Sequence, residues 1–161
     1  MSVRIENSNQ ADPIGWLKHD HQVIRTYLQE LNGTTAADST AHFEGLKRLL
    51  SLHNAIEENL VYPALAKLAG DREQAMELFH ETAEADILVF TVTQARVRDD
   101  EAAFQSGVRD LTNAILEHVQ VEETQAFPLL ESAGPEVLRK LAHDIVEFRG
   151  ALTSSAPTAS I

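Results

Sequence analysis

Apolar residues in this chain return every three or four positions rather than every second one, the spacing of one face of a helix. The first run holds Ile14, Leu17, His21, Ile24, Leu28 and Leu31; Asp12-Pro13 is placed to cap and open a helix there and Asn32-Gly33 to close it. The second holds Leu46, Leu50, His53, Glu57, Leu60 and Ala64, starting near Asp38-Ser39-Thr40 and ending by Gly70. The third holds Met76, His80, Ala83, Ile87 and Phe90, with Asp71 and Gln74 as a variant capping box. The fourth holds Phe104, Val108, Leu111, Ile115, His118 and Glu122 and follows Arg98-Asp99-Asp100. Alternating threes and fours suit helices packed at shallow angles, and short loops make neighbours antiparallel. The expected fold is all-α, an antiparallel up-down-up-down four-helix bundle over about 12–131. Gly134-Pro135 opens an additional short C-terminal helix over about 135–150, and 153–161 reads as a frayed tail. One domain accounts for the whole chain.

Polar residues interrupt these seams at six places, and four of them are related by a constant shift of 65: "HNAIEENLVYPAL" from His53 is nearly repeated as "HVQVEETQAFPLL" from His118. On a helix, residues i and i+4 differ by ~40° in direction and ~6 Å in height. His53 with Glu57, and His118 with Glu122, therefore each present two donors to one point. On an inward face an ionised carboxylate without a partner costs several kcal/mol. No Lys or Arg stands on the seams, which leaves histidines or a metal as the compensating charge. His21 and His80 supply the other two helices. With no cysteine in the chain, any metal is held by nitrogen and oxygen. Four imidazoles and two carboxylates match borderline transition metals, iron foremost with manganese or zinc behind it, and the donor count suits two ions. Each proline that follows, Pro63 and Pro128, deletes a backbone donor one turn past the glutamate and bends or ends the helix there.

The series His21, His53-x-x-x-Glu57, His80, His118-x-x-x-Glu122, with Tyr62-Pro63 and Phe127-Pro128 after the two pairs, resembles the hemerythrin-like (HHE cation-binding) proteins over about residues 12–131. That resemblance implies a pair of iron ions with a bridging oxo or hydroxo group inside the bundle. His21, His53, His80 and His118 would be terminal ligands, Glu57 and Glu122 bridges, with Glu84 and Glu123 as additional candidates. Oxygen-carrying members place a second histidine four residues after the one on the third helix, where this chain has Glu84. That departure favours redox reaction or sensing over reversible oxygen carriage.

Singly, a histidine on an apolar stripe is more often core than ligand. His19 is expected at the surface, His42 in the interior away from the site, and His143 in a structural role. Glu58 and Glu123 are expected on the solvated face, Met76 in packing. Tyr27 and Tyr62 are core or rim aromatics by default, although a phenol near iron can serve as ligand or radical site. The formal charge of −12 repels phosphate backbones and anionic lipid heads, so neither nucleic acid nor membrane is an expected partner. The N-terminus lacks an apolar leader, and a cytoplasmic location follows as the default expectation. The expected partner is a small ligand, a diatomic or peroxide, bound by a monomer or weak homodimer. Catalytic groups separate from the metal centre are not expected. If the chain is an enzyme it is a catalase-like, peroxide- or oxygen-consuming oxidoreductase; the alternatives are iron storage or sensing without turnover, and a metal-free helical interaction protein.

Overall fold

Helix ends form where side chains satisfy the backbone groups that a helix leaves orphaned. In the computed structural model, which describes residues 12–154, the Asp12 carboxylate accepts from the Gly15 N–H at 2.8 Å and Pro13 occupies the first turn of helix α1, Pro13–Leu31. Asp71 caps α3, Arg72–Val97, by accepting from the Gln74 N–H at 3.0 Å. Asp100 does the same for the Ala103 N–H at the start of α4. Helix α2 ends at Gly70, whose φ of 78° is open to glycine without strain.

Helices α2, residues 40–69, and α4, residues 101–132, are rods interrupted by wide π turns. In α2, α-helical Thr40–Ile56 gives way to a π segment Glu57–Val61, then Tyr62–Ala64, then a second π segment Leu65–Ala69. In α4, Glu101–Val121 is followed by a π segment Glu122–Ala126 and Phe127–Ser132. Helix α5, Pro135–Ser154, is longer than the short helix expected from the sequence. Thr153 and Ser154 of the expected tail continue it, and 155–161 lie outside the described residues. The four long helices pack as a bundle with α5 added, and no strand occurs among the described residues.

The slip in register explains the doubled proline. The first π segment of α2 and that of α4 begin at the seam glutamate, whose carbonyl accepts from the N–H five residues on, Tyr62 to Glu57 and Phe127 to Glu122. Pro63 and Pro128 follow at once, so the missing donor falls where the ladder is already changing register. A side chain serves a carbonyl at the same place in both halves, Asn59 Nδ2 to Ala55 O and Thr124 Oγ1 to Gln120 O, each at 2.7 Å. The buried stripe shifts by one residue as a result. Val61, Tyr62 and Leu65 are buried beyond Glu57, while the expected Leu60 and Ala64 are only half-buried.

The core divides into two apolar layers. One contains Ile24, Leu50 and Ile115; the other contains Leu17, Val61 and Ala126. Along each of α1, α2 and α4 the polar seam residues fall between a member of one layer and a member of the other. Histidines and glutamates thus form a polar sheet across the middle of the bundle.

Helix α3 departs from expectation. Its predicted seam of Met76, His80, Ala83, Ile87 and Phe90 faces solvent, and Ala75, Leu78, Thr82, Ala85, Val92 and Ala95 are buried instead. The two stripes lie on nearly opposite sides of the helix, their centres ~170° apart at ~100° per residue. Close approach selects the one with smaller side chains: Val92 packs on Gly107 of α4, where an added Cβ would lie 2.9 Å from Val92 Cγ2. The larger residues form the more conspicuous stripe, but the space between the helices admits only the smaller. Gly107→Val is expected to lower stability by ~1–3 kcal/mol, the usual cost of overpacking, measured by thermal or urea unfolding.

Candidate metal centre

His21 of α1, His53 and Glu57 of α2 and Glu122 of α4 converge in the polar layer, each buried, with one ligand-type atom apiece lying within 4.8 Å of the others. His21 Nε2 lies 3.1 Å from His53 Nε2, 3.2 Å from Glu122 Oε2 and 3.8 Å from Glu57 Oε1. His53 Nε2 lies 3.0 Å from Glu57 Oε1. His118 borders this group, its Nε2 being 3.4 Å from Glu122 Oε1. Each glutamate turns one oxygen toward the His21–His53 pair and the other toward Tyr62, whose hydroxyl is 2.8 Å from Glu122 Oε1 and 3.2 Å from Glu57 Oε2. The phenol has one proton for two carboxylate oxygens.

The far side of every imidazole is held by a carboxylate. His21 Nδ1 meets Glu123 at 2.9 Å, His53 Nδ1 meets Asp20 at 3.3 Å and His118 Nδ1 meets Glu81 at 2.7 Å. Two of these acids are themselves anchored: Arg25 grips Glu123 through two bonds of 3.2 and 3.1 Å, and Arg149 of α5 reaches Asp20 at 2.9 Å. With Nδ1 donating outward, the neutral imidazole aims the lone pair of Nε2 inward, the carboxylate-backed arrangement in which histidine serves as a metal ligand. The oxygens they face, Glu57 Oε1 and Glu122 Oε2, are buried without a hydrogen-bond partner. Leaving such groups unmet costs more than ~1–3 kcal/mol each when charged, so the donor set fits a cation.

Protons are the competing charge. Burial pushes the His21 imidazole down, but hydrogen bonds to Glu122 and Glu57 outweigh it and leave the pKa raised to about 9. His53 and His118 are raised to about 10, burial again being overcome, by Glu57 and Asp20 in one case and by Glu122 and Glu81 in the other. Glu57 is held well below the carboxylate range because the His53 charge and the His21 hydrogen bond exceed the cost of burial. Burial followed by the charges of Glu57 and Glu122 raises Tyr62, keeping it a neutral phenol.

The π turns give Tyr62 and Phe127 their places. Five residues along an α-helix overshoot a full turn by ~140°, whereas a turn closed by an i+5 bond brings the fifth residue back over the first. Tyr62 thereby reaches Glu57 on its own helix, and Phe127, its equivalent in α4, stacks on the His21 ring at 5.7 Å between centroids. A cavity of about 20 Å³ adjoins the layer, lined by His53, His118 and mostly apolar side chains including Leu50, Ala85 and Val119. Leu50 and Asn54 also line an outer cleft of about 370 Å³ between α2 and α3.

Of the residues predicted from sequence, His21, His53, Glu57 and Glu122 come together with His118 beside them. His80 does not. It projects from the outer face of α3, three-quarters exposed, and pairs with Glu84 at 3.2 Å, so neither residue reaches the layer. The cause is the choice of stripe on α3: Thr82, two residues on, occupies the inward position and lies 3.3 Å from Tyr62 Oη. Glu123 is neither a solvated bystander nor placed as a ligand but the hydrogen-bond partner of His21. His19 and His143 are exposed, and His42 is at the surface against Glu30 rather than interior. Met76 is exposed rather than packed. Sequence reasoning missed Asp20, Glu81, Arg25, Arg149 and Thr82, and left Tyr62 among the core and rim aromatics. A signal existed: each outer acid is the sequence neighbour of an inward residue, Asp20 of His21, Glu81 of Thr82 and Glu123 of Glu122, and a step of ~100° carries it around to a ring on the next helix.

Comparison with known proteins places residues 12–130 in a match to the family described as Hemerythrin HHE cation binding domain. Neither the curated proteins nor the solved structures yielded a match.

Two outcomes follow from the charges. For the metal-free protein, stabilisation from imidazoles with raised pKa is complete below their ordinary value of 6.5 and disappears as pH rises through about 9 to 10. That from Glu57, whose pKa is depressed, is present above the ordinary 4.5 and disappears as pH falls. The melting temperature of chelator-treated protein should therefore fall on both sides of neutrality, and a divalent cation added near pH 8 should release protons, read by a pH indicator. Replacing an outer acid, Glu123→Gln or Asp20→Asn, is expected to weaken metal binding ~10–100-fold in a competitive chelator titration while the fold persists by circular dichroism.

Proposed function

Since the chain belongs to the hemerythrin HHE cation-binding domain family, we propose that its polar layer holds two iron ions and reacts with a small oxidant such as dioxygen, hydrogen peroxide or nitric oxide. The observation that carries this is the set of three imidazoles aimed at two buried glutamates, each backed by its own carboxylate. His21 and His53 with Glu57 Oε1 and Glu122 Oε2 supply one set of donors. His118 with the opposite oxygens of the same glutamates supplies a second and poorer one. Manganese and zinc suit the same nitrogen and oxygen donors, but zinc has no redox chemistry and manganese binds such donors more weakly than iron, which makes iron the metal for an oxidant-reactive site. When bound, iron supplies one-electron redox chemistry.

The protein's own groups fit a small reactant. The adjoining cavity of about 20 Å³ has room for about one water-sized molecule, and its apolar walls favour neutral species over anions. Tyr62 holds a proton between the two glutamates and His118, within reach of any group that binds there and gains basicity. Phe127 and the two apolar layers exclude bulk water. The inequality between the two donor sets supports reaction over reversible carriage, as does a phenol where another histidine could stand.

The test is metal analysis with an absorption spectrum, followed by peroxide consumption measured against iron content. About two irons per chain and decay proportional to iron are expected. Glu122→Ala should lose about one metal per chain and melt lower, since a metal bound only by the native state stabilises it. His80→Ala should change neither. Iron bound without consumption of any of the three oxidants would instead favour storage or sensing, and absence of bound metal would defeat both.

A further inference from the structure

Helix α3 carries an outer apolar stripe that no described part of the chain covers. Met76 is 67% exposed, Ile87 65%, Phe90 64% and Val97 76%. Isolated exposed apolar residues are ordinary, but these lie in line along ~32 Å of one helix. Their spacing is that of a coiled-coil seam: Met76, Ala83, Phe90 and Val97 fall on one heptad position and His80, Ile87 and Gln94 on the other. A strict repeat of 3.5 residues has no use against solvent and is the pattern that another helix reads. The flanking charges are unequally distributed. Glu77 and Glu84 border the N-terminal part of the stripe and Arg98 its C-terminal end, all exposed.

We propose that this face binds the same face of a second copy of the chain, α3 against α3 in antiparallel sense. A parallel pair would stack His80 on His80 and Gln94 on Gln94 of the second copy and set Arg98 against Thr93 rather than an acid. Reversal brings Glu77 of one copy to Arg98 of the other, twice by symmetry, and puts Ile87 against Phe90 of the second copy near the two-fold axis. The inner stripe of α3 meanwhile faces the metal layer through Thr82 and Glu81, so one helix serves both surfaces.

Sedimentation velocity of the full chain over a concentration series tests this, independently of metal. A species of twice the 17.8 kDa chain mass is expected. Ile87→Asp combined with Phe90→Asp should give a monomer with unchanged helicity, because both side chains are already in solvent. Arg98→Glu should weaken association about fivefold, and Glu77→Arg added to it should restore it. Wild-type protein that stays monomeric up to ~100 µM, or a dimer that survives the double aspartate variant, would overturn the proposal. Failure of the charge reversal to restore association would overturn the antiparallel arrangement.

Discussion

Two carboxylates with no exposure to water, Glu57 and Glu122, set the terms for the rest of the molecule. In a low-dielectric interior their charge must be met at once and from close by. Imidazoles from three helices meet it, and each passes part of the demand outward to a second acid, which in two cases passes it on to an arginine. Charge alternates with distance from the centre until it reaches solvent. Even α5, which looks like mere cover in its apolar pattern, takes part through Arg149. The apolar layers above and below gain their roles from the same requirement, since they keep out the water that would otherwise screen these interactions.

Such a layer needs backbone that presents several donors at one height, and a regular α-helix does this imperfectly. His and Glu at i and i+4 share a face, but the next useful residue does not return to it. Widening the turn immediately after each glutamate brings a fifth residue over the layer, and proline occupies the step where the hydrogen-bond ladder has already slipped. The two halves then diverge. One places a phenol between the glutamates, the other a phenyl ring against His21. A near-symmetric backbone therefore surrounds a centre whose two sides differ in chemistry.

Helix α3 is the part of the bundle that obeys packing rather than hydrophobicity. Its close contact with α4, at Val92 and Gly107, admits small residues and turns the larger ones outward. In consequence the layer receives Thr82 and the supporting Glu81 instead of His80. The centre thereby has three converging imidazoles where four were expected, and the bundle presents an apolar face to its surroundings.

The sequence alone determined the helical class, the caps at Asp12 and Asp71, and the five polar positions on α1, α2 and α4. These depend on local geometry, on donors within one turn and on periodicity that a single helix imposes by itself. The family resemblance, too, was legible in the doubled His–Glu phrase with its proline. Tertiary structure decided which of two apolar stripes on α3 went inside, because that depends on the volume left by a neighbour and not on the helix's own pattern. It also decided the partners of the imidazoles and the place of Tyr62: contacts between residues up to 129 positions apart, such as Arg149 with Asp20, are set by how helices cross, and a π turn's effect on side-chain direction appears only once the register has slipped.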